Sequence, residues 1–357
     1  MPILKIDVLF GGQSREHDVS IVSALSIING LVGMRRHYEV WPVYITQDGE
    51  WYRAQTPLFE QVNELNLRNL VKTGCLVSPS LNPTHKIYHS PKGPAPLPDI
   101  YFPVLHGTKG EDGTIQGLFE MMNIPYVGSG VIGGSCGMDK EIMKRLFHTY
   151  GLPLLRWKCF EWIEWKKNSQ SIVRQIKKNL SYPLFIKPAN LGSSVGISKV
   201  TGEKTIKKAI REAFSYDQKI VVEEGRNVRE IECSILGNHS PRVSEPGEII
   251  PSSEFYDYQD KYCSNKARLC IPALLTAKQV RTIKEMAITA FKAVNARGLS
   301  RVDFFICKKN GRIFVNEINT FPGFTQISMY PKLWECSHVS FSDLLNELIK
   351  LGMERRK

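Results

Sequence analysis

A β-hairpin predicted over residues 299–319, polar on one face and apolar on the other, constrains the fold of this chain more than any other segment does. Side chains at positions i and i+2 of a strand point to the same face, so Arg301 lies beside Asp303. For the same reason Glu317 lies beside Asn319 on the second strand. An Asn-Gly pair predicts the turn, and folding there brings Asp303 opposite Glu317 to within one residue of register. The intervening positions are apolar: Val302, Phe304, Ile306, Phe314 and Ile318.

The polar face of this hairpin has two possible uses. Two carboxylates and an amide oxygen at close range repel one another unless a cation lies between them, and such oxygen ligands suit Mg²⁺ bound jointly with substrate phosphates. The neighbouring arginine would then hold an anion. The same side chains also suit a solvated surface with an ordinary cross-strand ion pair. The hairpin alone does not separate these two interpretations.

The composition is that of a soluble globular protein with more than one domain. A chain of 357 residues is too long for one ordinary core, and 42% hydrophobic with 23% charged residues is an ordinary balance. No run of about 18 apolar residues occurs, and residues 3–12 predict a strand and a turn instead of a signal peptide. The eight cysteines contain no C-x-x-C pair, which favours reduced thiols over disulfides or zinc ligands. We therefore expect a cytoplasmic protein that does not span a membrane.

The net charge of +12 raises the question of nucleic-acid binding. The basic pairs are spread along the chain, at 166–167, 177–178, 207–208, 308–309 and 355–356, and form no single basic arm. Most of them are expected on solvated helix faces and turns, while part of the excess charge would serve anionic ligands such as nucleotide phosphates. A basic protein that binds nucleic acid without enzymatic activity is therefore a remote alternative.

The order of predicted elements divides the chain into three parts. Residues 1–130 alternate strands and helices as in a doubly wound parallel α/β sheet, with a proline-rich insert at 53–98 whose signals are weak. Residues 131–223 and 224–357 predict two α+β subdomains. The main predicted elements are strands 3–10, 39–45, 99–105, 125–128, 184–187, 219–223 and 230–236, and helices 18–33, 113–122, 138–150, 203–214, 276–297 and 340–352.

A loop rich in glycine and serine, Gly192-Ser193-Ser194-Val195-Gly196, follows a predicted strand that contains Lys187. Its backbone N–H groups and hydroxyls can fold over phosphate oxygens, although the segment lacks the Gly-Lys-Ser/Thr of a Walker P-loop. A plain β-turn explains the loop alone. An ammonium in an otherwise apolar strand is costly unless it meets an anion, so Lys187 favours a phosphate site.

Two further segments carry candidate nucleotide contacts. Glu223 and Glu224 end a predicted strand, where a carboxylate can bind ribose hydroxyls, and exposed acids at an element boundary are the alternative. The segment 255–262 alternates aromatic and charged residues without an apolar face, which indicates a loop that could close over a ligand. Lys261 is its candidate phosphate contact, and an aromatic surface loop is the alternative there.

Candidate substrate contacts lie at the ends of predicted strands. Glu16 follows the first strand, where ligands of doubly wound sheets bind, and could receive a substrate ammonium. A helix cap by Asp18 or Ser14 is the commoner use of such residues. After the hairpin, Gly323 could turn a backbone N–H toward an oxyanion with Ser328 within reach, although a helix cap explains the same residues.

Taken in order, these segments resemble the ATP-grasp carboxylate–amine ligases and, more closely, the D-alanine:D-alanine ligase family. The resemblance extends from residue 11 to about residue 334 and depends on the segments GGQSREHDVS, HGTKGEDGTIQG, MDK, FIKPANLGSSVG, FYDYQDKY, RVDFF and NEINTFPGFTQISMYPKLW. It implies that the two α+β subdomains together form an ATP-grasp fold and that the N-terminal domain precedes it.

The resemblance also implies ATP and Mg²⁺ as cofactors, with two metal ions for which Mn²⁺ could substitute. Contacts with ATP or its metal side are implied for Lys140, Lys187, Ser194, Glu223, Glu224, Glu230 and Lys261. The implied metal ligands are Asp303, Glu317 and Asn319. Arg301 and the N–H of Gly323 resemble the family's oxyanion donors.

The remaining implied roles concern the two amino-acid substrates. Glu16 resembles the partner of the first substrate's ammonium, and Ser328 resembles the partner of the second substrate's carboxylate. Glu16, Ser193 and Tyr262 resemble the hydrogen-bonded trio that ties the closing loop to the site.

The implied activity is the ATP-dependent ligation of two D-alanine molecules through an acyl phosphate, with release of ADP and phosphate, for peptidoglycan precursor synthesis by a homodimer. D-Lactate or D-serine as second substrate is an alternative. Relatives that make depsipeptides have a similar segment with histidine at the position of Tyr262, so the tyrosine favours D-alanine. The polar linker Arg226-Asn227, where the family places the adenine, departs from the family pattern. A dinucleotide-binding dehydrogenase is disfavoured because no G-x-G-x-x-G follows strand 3–10.

Overall fold

The computed structural model describes residues 3–192, 195–251 and 268–356. Within these ranges the main strands form three sheets, one in each predicted part of the chain. Among the described residues, no helix combines the length and the apolar character that crossing a membrane requires. The described cysteines are all free thiols, as the absence of C-x-x-C pairs predicted.

The first sheet is mixed. Leu4–Gly11 pairs in parallel with Tyr38–Ile45 and with Ile100–Pro103, as the alternation of strands and helices predicted. The insert extends this sheet with antiparallel strands: Trp51–Arg53, Cys75–Pro79, Ile87–His89 and Ala95–Pro96. The strand predicted at 125–128 is instead an isolated bridge that joins Tyr101 and Tyr126.

Helices cover both faces of this sheet, because successive side chains of its first strand point to opposite sides. Val8 and Phe10 pack in one core with helix His17–Val32, while Leu9 packs in another core with helix Thr114–Met122. Helix Phe341–Met353, from the far end of the chain, completes the first of these cores with Leu344, Leu345, Leu348 and Ile349. The core of the first sheet is therefore completed by residues that are more than three hundred positions away from its first strand.

The second sheet is antiparallel, in the order Ser198–Val200, Leu184–Pro188, Lys219–Glu224 and Trp157–Glu161. Helices Trp162–Asn179 and Glu203–Phe214 pack their apolar faces against one side of it. Lys187 pairs in register with Val221, so Lys187 and Glu223 point away from those helices on the opposite face.

The third sheet runs in the order Arg268–Cys270, Gly247–Ile250, Val228–Gly237, Gly298–Cys307 and Ile313–Asn319, with Arg242–Val243 paired at one end of Val228–Gly237. Helix Ala277–Ala293 packs against it. This helix ends before the predicted residue 297 because Asn295 adopts a positive φ of 58°, which an α-helix does not allow.

Helix Lys140–Thr149 packs its Met143 and Phe147 into the core of the third sheet. It therefore joins the central part of the chain to the C-terminal part, and the domain boundaries at 130 and 223 stay predictions. The other described helices are Glu64–Arg68, Leu70–Thr73, Val131–Met138, Met329–Cys336 and the 3₁₀ turn Glu354–Arg356.

The predicted hairpin is present, with strands Gly298–Cys307 and Ile313–Asn319. Arg301 pairs with Asn319 and Asp303 pairs with Glu317, as predicted. A shift of one residue follows directly after Asp303, so Phe304 pairs with Val315. The polar residues therefore lie in one regular stretch of the ladder, and the shift falls between that stretch and the turn.

Candidate functional site

The polar face of the hairpin is an ion-pair cluster with little exposure to solvent. Arg301 donates from Nε and Nη2 to the two oxygens of Asp303, both at 2.7 Å. Its Nε also lies 3.1 Å from Oε2 of Glu232, on the neighbouring strand Val228–Gly237. The Arg301 side chain is 18% exposed and that of Asp303 is 14% exposed, which rules out a solvated hairpin face.

The second strand of the hairpin contributes oxygen atoms beside this cluster. Glu317 lies opposite Asp303 in the ladder, and Asn319 lies opposite Arg301. The Oδ1 atom of Asn319 accepts a hydrogen bond from the backbone N–H of Phe321 at 3.1 Å. In the described ranges no three His, Cys, Asp or Glu side chains are grouped as a metal site. The carboxylate oxygens of Asp303 and Glu317 and the amide oxygen of Asn319 are the kind of ligand that Mg²⁺ prefers, and ligand oxygens would have to complete such a site.

One cavity joins the hairpin to three other parts of the chain. These predicted site residues line it: Glu16, Lys140, Arg301, Glu317, Asn319, Gly323 and Ser328. They come from the turn after the first strand, the start of helix Lys140–Thr149, the hairpin, and the segment before helix Met329–Cys336. Carboxylates and cations far apart in sequence thus surround one space.

Glu223 lies between two lysines on the second sheet. Its Oε1 is 2.6 Å from Nζ of Lys144 and its Oε2 is 2.8 Å from Nζ of Lys187. Burial alone would raise the pKa of Glu223, but the two ammonium groups lower it to about 2. The same carboxylate, with Glu317, raises the pKa of Lys187 despite the opposing effect of burial. The predicted phosphate lysine therefore carries its charge within the fold.

Lys140 begins the helix that contains Lys144, and it contacts the glycine-rich loop. Its Nζ donates to the backbone oxygen of Leu191 at 2.6 Å, and its backbone N–H donates to that of Ala189 at 3.0 Å. Asp139 caps the helix by accepting from two backbone N–H groups at 3.0 Å. The helix start is thereby fixed against the loop where phosphate contacts were predicted.

Glu16 approaches this loop from the N-terminal side. A Cβ built on Gly192 would lie 3.2 Å from Glu16 Oε2, and one built on Gly107 would lie 2.6 Å from it, so both backbones pass close to the carboxylate. The backbone N–H of Glu16 donates to Ser14 Oγ at 3.1 Å. In the described part of the chain, no side chain forms a capping hydrogen bond at the start of helix His17–Val32. The alternative that Asp18 or Ser14 caps this helix is therefore wrong.

The segment after the hairpin is tied to the first helix. Ser23 Oγ accepts from the backbone N–H of Phe324 at 3.3 Å and lies 3.1 Å from Nε2 of His106. Ser328 precedes helix Met329–Cys336, but its hydroxyl bonds to the N–H of Thr325 at 3.0 Å and forms no cap. A Cβ on Gly323 would lie 2.9 Å from Ser328 Oγ, so the backbone at Gly323 passes close to that hydroxyl.

Glu224 and Glu230 are placed differently from Glu223. The Glu224 carboxylate accepts from the backbone N–H of Ser181 at 3.0 Å and from Arg226 at 2.7 Å, on the side away from Lys187. The polar linker residue Arg226 is thus the partner of a predicted nucleotide contact. Glu230 lies two positions before Glu232 on the same strand face, pointing away from the buried Ile231 and Cys233.

Three residues of this region were not predicted as site residues, namely Lys144, Glu232 and His106. Lys144 follows Lys140 by four positions, which places both on one helix face, and this spacing was a usable signal. Glu232 alternates with Glu230 along a strand, while its ladder partner Asp303 is known only from the structure. Four predicted site residues, Ser193, Ser194, Lys261 and Tyr262, lie outside the described residues.

The chain matches two family models in succession. The model described as D-ala D-ala ligase N-terminus matches residues 5–129, and the one described as D-ala D-ala ligase C-terminus matches residues 146–350. A D-alanine--D-alanine ligase of Natranaerobius thermophilus is 46% identical, with 100% of this chain and 97% of the relative covered. One from Bacillus velezensis is 47% identical, with 97% of each chain covered.

Solved structures of the same family share the fold. The D-alanine-D-alanine ligase from Coxiella burnetii is 36% identical with a TM-score of 0.86, and the match covers 100% of this chain and 95% of that one. The VanG D-Ala:D-Ser ligase from Enterococcus faecalis is also 36% identical with a TM-score of 0.86, over 98% of this chain and 100% of that one. These matches confirm the ATP-grasp fold inferred from the motifs, and the chain belongs to the D-alanine:D-alanine ligase family.

Proposed function

We propose that this protein joins two D-alanine molecules into D-alanyl-D-alanine, converting ATP to ADP and phosphate, as an enzyme of peptidoglycan precursor synthesis. The observation that carries the proposal is the shared cavity lined by Glu16, Arg301, Glu317 and Asn319. A ligase of this kind needs an acceptor for an ammonium, a cation for an oxyanion and oxygen ligands for a metal, all around one reacting carboxylate. The names of the relatives at 46–47% identity support the same substrates.

In the first step, the carboxylate of the first D-alanine accepts the γ-phosphoryl group of ATP, because a carboxylate is a poor acyl donor until one oxygen leaves as phosphate. The oxygens of Asp303, Glu317 and Asn319 would hold Mg²⁺, which when bound neutralises charge on the phosphates. Lys140 and Lys187 bind phosphate oxygens in this proposal, supported by the burial of both lysines and by the contact of Lys140 with Leu191, directly before the glycine-rich loop. Further nucleotide contacts are proposed for Ser194, Glu223, Glu224, Glu230 and Lys261.

In the second step, the amine of the second D-alanine attacks the acyl phosphate. Glu16 holds the ammonium of the first D-alanine, and the Ser328 hydroxyl holds the carboxylate of the second. Arg301 and the backbone N–H of Gly323 stabilise the tetrahedral oxyanion until phosphate leaves. The proposed trio of Glu16, Ser193 and Tyr262 ties the closing loop to the site, and that loop excludes water from the acyl phosphate.

A coupled ADP-release assay tests the proposal. With ATP and Mg²⁺, we expect ADP release that depends on D-alanine, and mass spectrometry should detect D-alanyl-D-alanine in equal amount. L-Alanine is the matched control because it differs only in configuration. ADP release that is independent of D-alanine, or equal with L-alanine, would contradict the proposal.

A second candidate function is the ligation of D-alanine to D-serine or D-lactate. The structural similarity to the VanG D-Ala:D-Ser ligase, at a TM-score of 0.86, supports D-serine as an alternative second substrate. Tyr262 supports D-alanine as acceptor over D-lactate. Incubation with D-alanine plus equal D-serine or D-lactate separates the candidates, since a mixed product that exceeds D-alanyl-D-alanine near neutral pH would replace the first proposal.

The assembly and location of the enzyme are also proposals. We propose a homodimer, as the family resemblance implies. We also propose that it acts in the cytoplasm with no nucleic acid or membrane as partner, because the proposed substrates are small and soluble. Light scattering coupled to size-exclusion chromatography measures the mass of the assembly. A monomer at micromolar concentration would contradict the dimer.

A further inference from the structure

Lys144 is a buried lysine to which the mechanism above gives no task. Its side chain is 1% exposed, and its Nζ lies 2.6 Å from Glu223 Oε1 and 3.3 Å from the backbone oxygen of Asn316. The second oxygen of Glu223 lies 2.8 Å from Nζ of Lys187. A buried ammonium is costly unless it is paired and hydrogen-bonded, so a lysine at this position depends on its contacts with Glu223 and Asn316.

The two cations on Glu223 have different surroundings. The Lys187 side chain is 11% exposed, and Lys187 is the second-last residue of strand Leu184–Pro188, which precedes the glycine-rich loop. Lys144 is less exposed and has a second partner in Asn316, which precedes Glu317 on the hairpin. Its helix is also fixed to the loop one turn earlier, through Lys140. Lys144 is therefore the better anchored cation, and Lys187 is the more exposed of the two.

We propose that Lys144 is a positioning residue for nucleotide binding: it holds Glu223 in place while Lys187 moves from Glu223 to a nucleotide phosphate. The inference rests on the proposed function, because it takes Lys187 as a phosphate ligand. With Lys144 present, Glu223 keeps one cation after Lys187 leaves. Without Lys144, the departure of Lys187 would leave a buried carboxylate unpaired, so Glu223 would retain Lys187 against the nucleotide.

The test measures ADP binding with Mg²⁺ by calorimetry on the full chain, together with KM for ATP and kcat. The variants are K144M, K144R, E223Q, K144M/E223Q, K187M and the exposed-lysine control K208M. We expect K144M to raise the ADP Kd and the KM for ATP by about tenfold or more, with a smaller change in kcat. K144R should bind closer to wild type because it retains a cation at Glu223.

The double variant separates positioning from simple support of the fold. E223Q removes the charge that would retain Lys187, and with it the nucleotide contact proposed for Glu223, so the double variant K144M/E223Q is compared with E223Q. Adding K144M to E223Q should change the ADP Kd by less than about twofold, against about tenfold in the wild-type background. A lysine that only supports the fold predicts the same loss of affinity in both backgrounds. Wild-type ADP affinity in K144M, or an equal loss from K144M in the two backgrounds, would overturn the inference.

Failure of the proposed function would give different results from failure of the inference about Lys144. Wild-type protein that releases no ADP with D-alanine, or K187M with unchanged ADP affinity, would contradict the ligase proposal or its phosphate assignment, whatever K144M does. Weak binding by K144M with normal binding by K208M, in a protein that turns over D-alanine, supports both. Thermal melting of each variant checks that it is folded.

Discussion

Arg301 occupies two ion pairs, and this shapes what it can do in a reaction. Its guanidinium contacts Asp303 twice and Glu232 once. A cation bound by Asp303 would compete with the first of these contacts, while Glu232 would still orient the arginine. The two carboxylates raise the pKa of Arg301 well above its usual range, although burial opposes them, so the group keeps its charge at any pH of interest.

Replacement of this arginine tests its role at the acyl centre. We expect Arg301→Ala to lower kcat for dipeptide formation by on the order of a hundredfold or more, because an oxyanion donor acts mainly in the transition state. Arg301→Lys is the control that retains the positive charge but loses the paired N–H donors of the guanidinium group. Steady-state turnover of D-alanine measures both, and unchanged turnover in the alanine variant would make Arg301 a structural ion-pair partner only.

The oxygen donors of the hairpin give a second prediction. Asp303→Asn or Glu317→Gln should abolish measurable ADP formation while the protein stays folded, because each removes a charge proposed to hold Mg²⁺. Glu335→Gln is a matched control at an exposed position outside the cavity. Near-normal turnover in both site variants would show that the metal assignment is wrong.

Glu223 also predicts how stability depends on pH. Its pKa is lowered from 4.5 to about 2 in the folded protein, so the stabilisation is fully present above pH 4.5 and is lost as the pH falls toward 2. The shift corresponds to roughly 3 kcal/mol of unfolding free energy. Urea unfolding between pH 6 and pH 3 should therefore show a shallower loss of stability in Glu223→Gln than in wild type. Equal slopes would contradict the assignment.

Among the secondary-structure elements, regular ones with a clear period were predictable. The hairpin register at Asp303 and Glu317 follows from alternation and an Asn-Gly turn, but the one-residue shift after Asp303 has no sequence signal. Short strands of the insert, such as Ile87–His89, were missed because flanking prolines and few apolar positions hide them. Lys144 was missed because a lysine on a helix is usually solvated: its spacing from Lys140 indicates a shared helix face, but its burial depends on tertiary contacts.

The insert is joined to the first sheet by a buried ion pair. Arg53 binds the two oxygens of Asp7 at 2.9 Å each, and Tyr88 donates to the same carboxylate at 2.7 Å. We expect Arg53→Met to destabilise the protein by about 3–5 kcal/mol, because it leaves Asp7 buried without its cation. Urea unfolding measures this, and Asp7→Asn/Arg53→Met should recover part of the loss. A single variant as stable as wild type would contradict it.

In the molecule as a whole, the site depends on contacts between the two ends of the chain. Tyr38 donates to Asn346 at 2.6 Å, and helix Phe341–Met353 supplies core residues to the first sheet. A chain truncated after residue 340 should therefore expose that core. We expect it to melt at a clearly lower temperature than the full chain, or to aggregate, and to lose ADP formation. Normal melting and turnover would show that the helix is dispensable.

The bond between Ser23 and the N–H of Phe324 has a consequence for protein synthesis. Its partners are separated by 301 positions in the sequence. At ribosomal rates of about 5–20 residues per second, the first helix is made on the order of 15–60 seconds before the residues that cover it. The apolar side chains of the first helix and sheet that pack against Phe324 and helix Phe341–Met353 thus lack these partners on the nascent chain for that interval. A chaperone that binds such surfaces has time to act, and no part of the cavity is complete until translation is nearly finished.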